Sequence, residues 1–120
     1  MKSIPITIAL LALGSSGNAV AKDQSIDLKI AAGKVGEVCM PLRAGDTLAW
    51  NFSASAPADF NLHHHIGKEV VLPIDRKAVA ADRARHTADR ANDWCLMWTA
   101  PAAQAITVKG SWRVAAKGGK

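Results

Sequence analysis

Ten residues restrict the fold of this chain more than any others. From Asn92 to Pro101 the sequence runs N-D-W-C-L-M-W-T-A-P, two tryptophans, a cysteine, a leucine and a methionine in consecutive positions. Side chains alternate between the faces of an extended strand, so Trp94, Leu96 and Trp98 point one way and Cys95, Met97 and Thr99 the other. Both sets are largely apolar. A strand apolar on both sides predicts the central strand of a two-layer β structure, with partners on either side.

The N-terminus reads as a leader. Lys2 precedes an apolar run from Ile4 to Leu13, a Gly14-Ser15-Ser16-Gly17 break and the small-x-small pattern Ala19-Val20-Ala21, the layout of a secretory signal peptide at 1–21 cleaved after Ala21. The apolar run is too short to span a bilayer, and no cysteine stands near the cleavage point to take a lipid. The expectation is a periplasmic or secreted protein with one small domain at 22–114 and a disordered tail at 115–120.

Two cysteines, Cys39 and Cys95, remain in that domain. In an oxidising compartment an even pair reads as a disulfide. The competing reading, a thiolate metal or redox pair, lacks C-x-x-C spacing. The formal net charge is +5, and losing Lys2 with the leader lowers it by one. A basic exported protein associates with anionic envelope components or with a protein partner. Nucleic acid is a poor candidate partner, because an exported protein leaves the cytoplasm and the tryptophans fall on the apolar faces of strands instead of interleaving with Arg and Lys as a stacking platform would require.

Alternation marks further strands at Ile26 to Ile30, Val35 to Leu42, Leu48 to Phe52, Phe60 to His64, Val70 to Ile74 and Ile106 to Val114. Ser53 to Ala58 reads as a loop, Gly67-Lys68 as the turn of a hairpin, and Pro73 as an edge or a bulge. Asp75 to Asp93 is Ala-, Arg- and Asp-rich with no Leu or Ile. It reads as a long polar connection with a short strand at Arg85 to Ala88, or alternatively a short helix from Lys77 to Arg85. The expected core is Trp50, Phe52, Phe60, Leu62, Trp94, Leu96, Trp98 and Trp112. The fold class is all-β, an antiparallel β-sandwich with one inter-strand disulfide.

Gly36-Glu37-Val38-Cys39, Gly45-Asp46-Thr47-Leu48-Ala49-Trp50, Ala58-Asp59-Phe60-Asn61-Leu62-His63, Gly67-Lys68-Glu69-Val70-Val71 and Trp94-Cys95-Leu96-Met97-Trp98 occur in an order that resembles the GOLD (Golgi dynamics) domain of eukaryotic cargo receptors, and more closely its small exported bacterial relatives. The resemblance covers about Lys34 to Val114. It implies a jelly-roll-like sandwich, a non-catalytic interaction role, and a pairing of Cys39 with Cys95 across the sandwich. The cargo receptors' transmembrane helix and coiled-coil extension have no counterpart here.

Concentrated chemistry occurs once, at His63-His64-His65. On a strand, His63 and His65 share a face and could converge on copper or zinc, with a third ligand from His86, Asp59, Glu69, Met40 or Met97. The plainer reading makes His64 a core or rim histidine satisfied by a backbone carbonyl, and His63 and His65 a solvated pair. Arg76, Lys77, Arg83, Arg85 and Arg90 are interspersed with Asp75, Asp82 and Asp89, the pattern of a solvated connection more than of an anion site. Nothing matches a nucleophile elbow, a phosphate loop or a zinc-protease motif. The sequence therefore predicts a non-enzymatic binding or accessory module acting through a sheet face, without cofactor. The alternative is a periplasmic copper or zinc protein built on His63 and His65.

Overall fold

The computed structural model describes residues 21–118. The expected signal peptide, apart from Ala21, lies outside the described residues. Within them the chain forms β1 (Gln24–Ile30), β2 (Val35–Leu42), β3 (Thr47–Ile66), β4 (Glu69–Thr87), β5 (Asn92–Thr99) and β6 (Ile106–Ala115). Every pairing is antiparallel, and among the described residues there is no helix.

The 20-residue β3 connects everything. Along one edge, Thr47 to Ala54 pairs with β6 and Asp59 to His63 pairs with β5. Along the other edge β4 follows it throughout. The strand order is β1-β6-β3-β5-β2, with β4 outside that path. Because β3 changes partner midway, the sheet curls into two layers. One holds β1, β6, the first half of β3 and the second half of β4; the other holds β2, β5 and the remaining halves. The corner lies between Ser53 and Ala58, where Ala54 to Pro57 stand opposite Ala80 alone. This is the antiparallel β-sandwich that the alternation predicted.

The core lies between the layers. Phe52 from the first layer meets Phe60 and Trp98 from the second, at centroid distances of 4.7 and 5.2 Å. Trp50, Leu62, Trp94 and Leu96 are buried with them, and Trp112 packs half-buried at the margin. Each such side chain contributes about 1.5–3 kcal/mol by leaving water. Gly110 pairs with Phe52 and comes so close to β3 that a Cβ there would strike the Asn51 carbonyl oxygen and lie 2.7 Å from Phe52 Cα. The glycine thus marks a close approach of two backbones.

Four expectations change. Ser53 to Ala58 is not a loop but the irregular middle of β3. Asp75 to Asp93 is neither a polar connection nor a helix: β4 runs unbroken to Thr87. Its inward positions there, Val79, Asp82, Ala84 and His86, are small or polar because the strand borders the sandwich, so the apolar half of the alternation is missing. The tail starts later than expected, since Ala115 ends β6 and the Lys117 N–H donates to Asp46 Oδ1 at 3.3 Å. Finally, β5 has a strand on each side within its layer, but only its Trp94 face is covered by the other layer. Cys95, Met97 and Thr99 point away from the core, Cys95 buried and the other two half-buried.

Candidate functional site

The outer face of the β2–β5–β3–β4 layer collects most of the residues singled out from the sequence. Cys39 and Cys95 are directly opposed in the β2–β5 register, 4.0 Å apart at Cα, and form the disulfide. Both side chains point outward, so the bridge lies along one layer and does not cross the sandwich as the family resemblance implied. The register continues the row from Cys39 and Cys95 to His63 on β3, and sets a parallel row of Glu37, Met97 and Asn61 beside it.

His63 is nearly covered, 4% exposed, rather than solvated. Its Nδ1 lies 2.7 Å from Asn61 Oδ1; an amide oxygen only accepts, so this nitrogen carries the proton in the neutral ring. Nε2 is left facing Glu37 Oε2 at 3.9 Å. Burial lowers the pKa of His63, opposed by the Glu37 carboxylate and reinforced by His65 and His64. The His63 and His65 rings stand edge to face at 5.2 Å, with His65 exposed. His64 turns inward, its ring 4.1 Å from that of Trp94. Neither of its ring nitrogens has a partner, so the expected backbone carbonyl is not there. Burial again lowers the pKa, followed by the nearby Arg90.

Among the described residues, none of the His, Asp or Glu residues expected as a third ligand groups with His63 and His65. His86 lies against Trp94. Asp59 accepts the Ala78 N–H at 3.0 Å and stabilises a β4 bulge, where Ala78 has a φ of 53°. Glu69 begins β4 at the hairpin tip, Met40 is core, and Met97 shares the row of Glu37. Among the described residues the one three-donor group is Glu37, His63 and Cys95, and Cys95 is spent on the disulfide. Two donors remain. Glu37 escaped the sequence reading because only the β2–β5–β3 register brings it to His63.

The same layer ends in the β3–β4 hairpin, closed by Gly67-Lys68 with Gly67 at a φ of 59°. On this hairpin Val70 and Leu72 are 49% and 42% exposed and Ile66, on the other face of β3, is 40% exposed; with Val35 they are the exposed large aliphatics among the described residues. Val70 pairs with the outward His65. Leu72 and Pro73 together oppose His63, a bulge on a strand that among the described residues pairs only with β3. The proline fits both of its expected roles.

A second outer face, on the β1–β6–β3–β4 layer, has a different character. Extension of β4 puts Arg83 and Arg85 on one side of the strand, two residues apart. Across β3 stand Arg113 and Lys109 of β6. A cavity of about 460 Å³ lies among Arg83, Arg85, Arg113, Ala49, Asn51 and Ser111. Reading Asp75 to Asp93 as a connection concealed this face, although the two-residue spacing of its arginines was visible.

No known family and no curated protein matches the sequence. The fold, however, has a counterpart. The crystal structure of Aeromonas hydrophila PliG, a periplasmic lysozyme inhibitor of g-type lysozyme, is similar to this chain with a TM-score of 0.55 and 11% identity, covering 79% of this chain and 88% of that one. At that identity the likeness is one of architecture.

Proposed function

We propose that the protein is a non-catalytic binding module of the cell envelope that holds a protein partner on the outer face of the β2–β5–β3–β4 layer. The observation carrying this reading is the exposed aliphatic pair Val70 and Leu72 beside a sheet face stapled by Cys39–Cys95. Clustered solvent-facing aliphatics on a rigid scaffold mark interaction surfaces. A disulfide suits an oxidising compartment, in line with the export signal read at 1–21. The GOLD resemblance likewise favours an interaction module. A fold shared with a periplasmic inhibitor of g-type lysozyme supports a secreted hydrolase as the partner. Copper or zinc at His63 would need donors beyond Glu37, so metal binding is not part of this reading.

The test is to titrate the mature, disulfide-bonded protein against lysozymes of the goose, chicken and invertebrate types, following cell-wall lysis and direct binding. One of them should be inhibited, and Val70→Asp/Leu72→Asp should weaken that complex by at least about tenfold, as expected when two anchoring aliphatics are lost. No binding to any lysozyme would remove the hydrolase partner. Binding undiminished in the double variant would move the contact surface elsewhere.

A further inference from the structure

We propose that the outer face of the opposite layer is an anion-binding trough whose occupant is an extended acidic glycan carrying carboxylate or phosphate groups. The strand register builds the trough. Arg85, Ala49 and Arg113 form one row across β4, β3 and β6, and Arg83, Asn51 and Ser111 form the next. Ala81, Ser53 and Lys109 form the third. Short side chains of β3 make the floor, while long cationic ones rise from the strands on either side. The walls are two strand spacings apart, about 10 Å, and successive cations along β4 are about 7 Å apart.

The space between them is continuous. The cavity of about 460 Å³ adjoins a more open one of about 710 Å³ reaching Lys109 and Ser53, and Asn51 and Arg83 line both. Asn51 Nδ2 donates to Ser111 Oγ at 3.0 Å, which fixes the floor. Three carboxylates stand beside the trough, and one of them, Asp27, is the β1 register partner of Lys109. Asp23 meets Arg113 at 3.7 Å with both groups largely exposed, a pair that solvent weakens. Asp82 is occupied by Trp50 Nε1 at 3.0 Å and by Arg76 at 3.4 Å. Arg83 and Arg85 form no ion pair among the described residues, so their charge is available to a ligand. Arginine's planar fork matches carboxylate and phosphate oxygens.

A glycan fits better than a peptide. None of the exposed large aliphatics, Val35, Ile66, Val70 and Leu72, lies on this face, and peptide recognition draws most of its energy from apolar anchors in pockets. The floor instead offers amide, hydroxyl and methyl groups. This inference uses the layer opposite the proposed protein-binding face and none of its residues, so either can fail alone.

The experiment measures fluorescence anisotropy of labelled oligogalacturonate and of a phosphorylated mannan oligosaccharide, titrated with the mature disulfide-bonded protein. Polyglutamate and vesicles containing phosphatidylglycerol serve as competitors. Arg83→Gln/Arg85→Gln should weaken glycan binding at least about tenfold and flatten its dependence on salt, since fewer counterions are released. Lys34→Gln/Lys68→Gln, equal in charge but outside the trough, should bind like wild type. Whichever glycan binds more tightly assigns the carboxylate or the phosphate. The proposal is overturned by equal losses in both variants, by preference for polyglutamate or vesicles over both glycans, or by no glycan binding at all.

Discussion

His63, His64 and His65 are consecutive, yet one strand gives them three environments. His63 faces Glu37 under cover, His65 faces solvent, and His64 lies against Trp94 with no hydrogen-bond partner. An inward imidazole without a partner is tolerated neutral and resists charging, because a buried cation loses its hydration. The unfolded chain takes up a proton near the ordinary value of 6.5, whereas folded His64 does so only at lower pH. Stability from this site is therefore complete above that value and is lost as pH falls toward the folded pKa. We expect His64→Phe to lose less stability than wild type when urea unfolding is compared at about pH 7.5 and about pH 5, with the residual slope coming from His63. Equal slopes would exclude His64 as a source of the pH dependence. Alternation alone told that His64 points inward with Phe60 and Leu62. The approach of Glu37 to His63 was hidden, since it depends on two strand pairings at once.

At the scale of elements, β3 decides the architecture by changing partners between Ala54 and Asp59. Four of the six strands were legible over most of their lengths, because an apolar residue at every second position marks a strand with one face on a core. β3 and β4 were read in pieces. Corners and sandwich borders replace large inward residues with Ser, Ala, Asp and His, and the periodic signal fades although the backbone pairing continues. Gly110 is the point where β6 comes closest to β3. Backbone atoms of Asn51 and Phe52 cannot yield as a side-chain tip would, so Gly110→Ala should cost about 2–3 kcal/mol in chemical denaturation, at the upper end for overpacking. A cost below about 0.5 kcal/mol, the range of an ordinary surface change, would mean that the two strands are farther apart than described.

For the whole molecule, the disulfide ties β2, a strand paired on one side only, to the middle of its layer. Closing a loop with a sequence separation of 56 restricts the unfolded chain by about 4 kcal/mol on loop-entropy grounds. Against a total of about 5–15 kcal/mol, that is a large share. Cys39→Ala/Cys95→Ala should lower the unfolding free energy by about 2–5 kcal/mol at unchanged strand content by circular dichroism. A midpoint that did not move would mean the bridge restricts little in the unfolded ensemble. The sequence by itself determined the all-β class, the inward positions of Trp94, Leu96 and Trp98, and a single pair of cysteines suited to bonding, because side-chain alternation and residue chemistry are local properties. Tertiary structure alone decided that the bridge runs along a layer, that Glu37 faces His63, and that Arg83 and Arg85 share a trough with Arg113. Each joins residues far apart in the chain, and only strand register, fixed by packing two layers around one core, brings them together.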